Sequence, residues 1–151
     1  MGQLNLPSYL FKIITKEQNK YIFDEIRKKF LLLTPEEWVR QNFIKYLIDQ
    51  KNYRPNLFHI EMSFELEQYH YRADVVVYNR SFKPALIVEC KAPDVKISQK
   101  QFDQIALYNI RLKVPYLVVT NGIDHYCCKI DYQNGSYDFI NSIPDYSDLN
   151  P

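Results

Sequence analysis

The chain has 151 residues, 46% hydrophobic and 25% charged, which suits a single domain over residues 1–151 with a core that needs no cross-links. Its three cysteines, Cys90 and the adjacent Cys127 and Cys128, fit neither a disulfide framework nor zinc spacing, so a reducing, cytoplasmic setting is expected. Only Gly2, Gly122 and Gly135 are present, which excludes a P-loop or a dinucleotide fingerprint, and no apolar run reaches membrane-spanning length or forms a signal peptide.

Residues 10–14 and 21–23 read as short strands around a polar stretch, although a helix over residues 17–30 competes for the same segment and the two readings stay open. Thr34-Pro-Glu-Glu37 is a helix start: Thr34 as N-cap, Pro35 in the first turn and Glu37 at the capping-box position. That helix is expected to reach about Gln50, burying Val39, Phe43, Tyr46 and Leu47 while Arg40, Gln41 and Lys45 lie off the buried stripe. Residues 58–66 alternate apolar and polar side chains, the pattern of a half-buried outer strand.

Two short apolar runs follow, residues 72–78 and 85–91, rich in β-branched residues and separated by a turn-like segment. They are expected to pair as an antiparallel hairpin. If that hairpin is symmetric, Tyr78 faces Ala85 and Asp74 faces Glu89. Directly opposed side chains have Cβ atoms roughly 4.5–5.5 Å apart, where like charges repel. Because side chains alternate along a strand, Glu89 and Lys91 share a face and Cys90 points away. Two carboxylates so placed could hold Mg²⁺, with water and a substrate phosphate completing its shell. The bland alternative is an ion-pair cluster at the end of a sheet, which leaves two acids among Val75, Val76, Ile87 and Val88 poorly compensated.

Ser98-x-x-Gln101 opens a second helix, to about Arg111, and residues 114–120 read as a buried strand, implying a right-handed parallel crossover. Residues 125–130 and 136–140 form a closing hairpin across Asn134-Gly135, and the tail from about residue 144 is expected to fray. The result is an α/β fold: a mixed sheet flanked by helices, with no internal linker or repeat.

Asp74 on one strand and Glu89-Cys-Lys91 on the next resemble the PD-(D/E)xK nuclease superfamily, with Ala73 in place of the motif's proline. Thr34-Pro-Glu-Glu-Trp-Val-Arg-Gln41, Ala73-Asp-Val-Val-Val77, Glu89-Cys-Lys-Ala-Pro93, Gln104-x-x-x-Tyr108 and Thr120-Asn-Gly122 are more closely similar to the N-terminal nuclease domain of type I restriction enzyme R subunits. The resemblance implies a restriction-endonuclease-like αβββαβ core. It also implies Mg²⁺, or Mn²⁺ as a substitute, held by Asp74 and Glu89, with Lys91 catalytic in phosphodiester hydrolysis. Glu37 matches the acid that many members place on the first helix to reach the metal, with Glu36 as fallback; a capping box also accounts for Glu37. Gln104 and Tyr108 share a helical face and resemble the QxxxY motif that lines the active site in one branch, though an amphipathic helix edge explains them too.

The net charge of +1 is uneven: residues 1–54 hold ten Lys/Arg against six Asp/Glu, residues 91–113 five against two, and residues 114–151 one against five. Basic segments around an acidic pocket suit a phosphate backbone. A solvated helix face accounts for any one of these charges as well. The resemblance implies DNA as the partner, with a motor or other restriction-system subunit, or a second copy of the chain, as further candidates. Two functions follow: a Mg²⁺-dependent DNA endonuclease domain, or a nuclease-like binding or assembly module that does not cut.

Overall fold

A computed structural model describes residues 1–151. The contested N-terminal segment forms strands rather than a helix: β1 (Ile13–Lys16), β2 (Asn19–Asp24) and β3 (Lys29–Leu32) make an antiparallel three-stranded sheet, with residues 10–12 outside it. Its turns fall at Glu17, Gln18 and Lys28, which adopt φ of 52°, 69° and 56°, a reversal that a continuous helix cannot contain. Asp24 ends β2 in a side-chain turn, its Oδ1 accepting from the backbone N–H groups of Ile26 (2.8 Å) and Arg27 (3.1 Å).

Helix α1 (Pro35–Lys51) starts where the capping pattern predicts, with the Thr34 hydroxyl accepting from the Glu37 N–H at 3.1 Å. The reciprocal half of the capping box is missing, because the Glu37 carboxylate faces Arg40 and Gln41 instead. Nor is the helix a simple stripe: Arg40, Gln41 and Asn42 are buried along with Val39, Phe43 and Leu47, while Tyr46 is only half-buried. Helix α2 (Gln99–Leu112) carries a complete capping box between Ser98 and Gln101.

The main sheet has six strands in the order β4 (Phe58–Leu66), β5 (Tyr69–Tyr78), β6 (Pro84–Cys90), β7 (Tyr116–Thr120), β8 (His125–Asp131) and β9 (Ser136–Ile140). Only β6 and β7 run parallel, joined by the crossover through α2. Helix α1 covers one face, packing Val39, Phe43 and Leu47 against Val75, Val77, Leu86, Val88 and Val118. Helix α2 covers the other, setting Phe102 and Ala106 against Val76, Ile87, Leu117 and Val119. This is the mixed α/β sandwich the patterning predicts, with β4 at an edge. No helix is long and apolar enough to cross a membrane.

Two further expectations are corrected. The β5–β6 hairpin is not symmetric: a bulge after Val77 sets Tyr78 opposite Pro84 rather than Ala85. The tail from residue 144 does not fray either, since Tyr146–Leu149 forms a single 3-10 turn with Tyr146 and Leu149 buried against the α1-side core. The Tyr53 hydroxyl donates to the Pro144 carbonyl at 2.9 Å and the Tyr146 hydroxyl to that of Tyr78 at 3.1 Å, which fixes the segment.

The strands β4 and β5 change sides partway along. Phe58 and Ile60 of β4 serve the α1-side core, but Met62 and Phe64 serve the α2 side. In β5, Val75 and Val77 face α1, whereas Ala73 and Tyr71 face α2. Strict alternation would keep each set on one face. The switch occurs at Glu61, which adopts φ of 55° within β4, and at Asp74, the residue that would pair with it.

Candidate functional site

Asp74 sits at this switch. The β5–β6 register pairs Val75 with Val88, and one further step sets Asp74 beside Glu89. The Asp74 Oδ2 accepts a hydrogen bond from the Cys90 N–H at 2.8 Å, which ties the two strands at the acid pair. Glu89 is buried on the α2 side. Burial first, then the charge of Asp74, pushes its carboxyl up to about 8, against a smaller opposing pull from the Tyr71 hydrogen bond and from Lys91. Two carboxyl groups this close, one of them buried, disfavour full ionisation of both.

Lys91 follows β6 directly, its backbone N–H donating to the Thr120 carbonyl at 2.8 Å. Thr120-Asn-Gly122 explains that placement. The Thr120 hydroxyl accepts from the Gly122 N–H at 2.9 Å, and the Asn121 side chain donates to the Val95 carbonyl at 2.8 Å, holding the loop that leaves the acid pair. Gly122 has φ of 86°, and a Cβ there would lie 2.7 Å from a Leu4 methyl, so glycine suits both the turn and the seat of the N-terminal segment.

Tyr71 was not foreseen. Its hydroxyl donates to the Glu89 carboxylate, and its ring stacks on Tyr108 of α2 with centroids 4.1 Å apart and planes at 10°. Burial, then the neighbouring Glu89 charge, raises the Tyr71 hydroxyl far above the ordinary phenol range, so it stays a donor. Tyr108 therefore reaches the acid pair through Tyr71. Gln104, one turn earlier on α2, is exposed and makes no side-chain hydrogen bond within the chain.

The structure draws Glu37 into a different cluster. Its carboxylate accepts from Arg40 Nε (3.2 Å), from Arg40 Nη2 at close range, from Gln41 Nε2 (2.8 Å) and from Arg27 Nη2 (3.4 Å). Glu36 is exposed. The cluster extends to Asp24, which pairs with Arg27 Nε at 2.6 Å, and to Glu61, which meets Arg27, Arg40 and Arg72. Burial alone would raise the Glu61 carboxyl, but the Arg72 hydrogen bond and the charges of Arg40, Arg27 and Arg72 hold it below the usual range. Asp24–Arg27 and Glu37–Arg40 are each three residues apart, but the convergence of Arg27, Arg40 and Arg72 on Glu61 joins segments far apart in the chain, and no short-range pattern signals it.

No three acidic, histidine or cysteine side chains group closely enough to form a metal cluster of their own. Asp74 and Glu89 still fit a Mg²⁺ site, since that ion is commonly held by one or two carboxylates with water and phosphate oxygens supplying the rest. Burial and the neighbouring Asp74 both disfavour an ionised Glu89, a cost that a bound cation would offset.

The family model described as type I restriction enzyme R protein N terminus matches residues 35–144. No curated protein matches the chain. Among solved structures, a fragment described as an HsdR subunit of a type I restriction enzyme from Vibrio vulnificus YJ016 has a similar fold, with TM-score 0.54 and 20% identity over 78% of this chain. The alignment spans only 24% of that structure's chain, so the likeness is to one part of a longer protein. The matched segment begins at α1 and carries the acid pair, α2 and the closing hairpin, and on that match the chain belongs to the type I restriction enzyme R protein N-terminal family.

Proposed function

We propose that this chain is a Mg²⁺-dependent DNA endonuclease domain that hydrolyses phosphodiester bonds as part of a type I restriction system, with translocation supplied by a motor outside these residues. The observation that carries the reading is the Asp74–Glu89 pair in the sheet, its Glu89 carboxyl pushed up to about 8, with Lys91 next to it. Asp74 and Glu89 would hold the ion. When bound, Mg²⁺ or Mn²⁺ would acidify a water and offset charge on the phosphate. Lys91 would orient the attacking water or stabilise charge on the phosphoryl oxygens. Tyr71 holds one Glu89 oxygen in place, and Tyr108 fixes Tyr71 by stacking. Gln104, exposed on the same helix, is free to meet DNA.

One observation favours the second reading, a nuclease-like DNA-binding or assembly module that does not cut: Glu37 is engaged by Arg27, Arg40 and Gln41, leaving two carboxylates at the site. Plasmid nicking separates the two readings. Wild-type protein is expected to nick supercoiled DNA with Mg²⁺ or Mn²⁺ and not in EDTA, and Lys91→Ala to slow nicking by about 100-fold or more. Equal nicking by wild type and Lys91→Ala would refute the catalytic role. Salt-sensitive DNA binding with no turnover on adding metal would establish the binding module instead.

A further inference from the structure

Three guanidinium groups from three separate segments meet at the Glu61 carboxylate. Arg72 Nη2 lies 2.6 Å from Oε2, Arg27 Nη1 3.2 Å from Oε2, and Arg40 Nη1 3.4 Å from Oε1. Two of these arginines already have an acid of their own. Arg27 Nε pairs with Asp24 at 2.6 Å, and Arg40 presents Nε and Nη2 to Glu37. Glu61 thus takes an additional N–H from each, and it is the acid partner of Arg72.

The convergence is accessible on one side only. Side-chain exposure is 5% for Glu37 and 11% for Arg40, against 35% for Glu61 and 64% for Arg72. A carboxylate at the mouth of an otherwise buried ion-pair network can leave without opening the core. Its backbone is also unusual: φ of 55° inside a strand is sparsely populated by non-glycine residues, and such strain, of order 1 kcal/mol or more, persists where the surroundings impose it. That conformation occurs where the strands switch faces, at the residue whose register partner would be Asp74. The arginine cluster therefore borders the acid pair.

Building on the nuclease reading above, we propose that Arg27, Arg40 and Arg72 form a binding site for a backbone phosphodiester of DNA next to the cut, and that the Glu61 carboxylate occupies this site until DNA displaces it. Arginine suits the role, since its fixed fork of donors matches phosphate oxygens. With Glu61 swung into solvent, Asp24 and Glu37 still neutralise two of the three guanidiniums. One positive charge and three aimed donors remain for a single phosphodiester, so the exchange leaves no buried charge unpaired. The exchange costs binding affinity and returns selectivity against weaker anions.

The test is duplex-DNA binding by fluorescence anisotropy in EDTA across a NaCl series, with wild type, Glu61→Gln, Arg72→Ala and the double variant. Glu65→Gln serves as a control for simple loss of a surface charge, because Glu65 is exposed on the same strand and its ion-pair partner is the exposed His70. The expected result is that Glu61→Gln tightens binding about 5-fold or more beyond Glu65→Gln. Arg72→Ala should reduce the salt slope by about 0.9, the loss of one phosphate contact, and should cancel the Glu61→Gln gain in the double variant. Arg72 is exposed, so that arm keeps the proposal testable if Glu61→Gln fails to fold. Wild-type binding with Glu61→Gln equal to Glu65→Gln, or with additive Arg72→Ala effects, would overturn this proposal and leave the nuclease reading standing. Absence of DNA binding by every variant would overturn both.

Discussion

Glu89→Gln is expected to raise stability at pH 8 and to abolish metal-dependent DNA cleavage, effects of opposite sign from one isosteric change. The Glu89 carboxyl is pushed from the ordinary carboxylate range up to about 8 in the folded protein, by burial and then by Asp74. Its contribution to stability is complete below the unfolded-state value near 4.5 and is lost as the pH rises through about 8. Within that window the loss approaches about 1.4 kcal/mol per pH unit. Gln removes the charge, still accepts from the Tyr71 hydroxyl and can donate to Asp74. A gain of about 2 kcal/mol would raise Tm by roughly 4–8 °C for a chain of this size. Thermal melts of wild type and variant from pH 5 to pH 8, in EDTA, check the stability arm, where the variant should lose the downward slope. Cleavage should fall by about 1,000-fold or more, because one of the two carboxylates proposed to hold the metal is gone. A Glu89→Gln protein that is less stable at pH 8 would show that Glu89 serves an ordinary ion pair.

Arg40→Ala is expected to destabilise the protein by about 3–5 kcal/mol, the cost of leaving a buried carboxylate without its main partner. Arg40 holds Glu37 through Nε and Nη2, and both residues are buried in the first turns of α1. Gln41 and Arg27 would remain on Glu37, the latter at 3.4 Å, so compensation is partial. Urea unfolding measures the loss directly. Replacing both partners, as in Glu37→Leu with Arg40→Met, should cost much less than Arg40→Ala alone, since removing a whole buried pair avoids the orphaned charge. An Arg40→Ala protein within about 1 kcal/mol of wild type would mean that the pair behaves like a surface ion pair.

What could be read from the residues was whatever depends on short-range pattern. The edge strand over Phe58–Leu66, the Thr34 and Ser98 caps and the crossover between β6 and β7 follow from local signals, and the structure contains each of them, although the strand's alternation breaks at Glu61. The closeness of Asp74 and Glu89 followed from hairpin register, and it persists although the bulge after Val77 moves Tyr78 onto Pro84. The N-terminal sheet stayed ambiguous because β1 and β3 are only four residues long and largely exposed. Arg40 and Gln41 look like solvent-facing helix residues, and their burial depends on Glu37, Glu61 and Arg27, which only the tertiary fold assembles. Tyr71 was hidden for a related reason. Alternation sets Tyr71 and Val75 on one face, but the switch at Asp74 turns Tyr71 to the α2 side and onto Glu89.

On the proposed reading, Asp74 and Glu89 stand together to hold a divalent cation. Its most direct test is anomalous diffraction from crystals of the wild-type protein grown with Mn²⁺. An anomalous peak is expected between the two carboxylates and is lost in Asp74→Asn. A well-ordered site with no peak there, or Mn²⁺ bound only elsewhere, would contradict it.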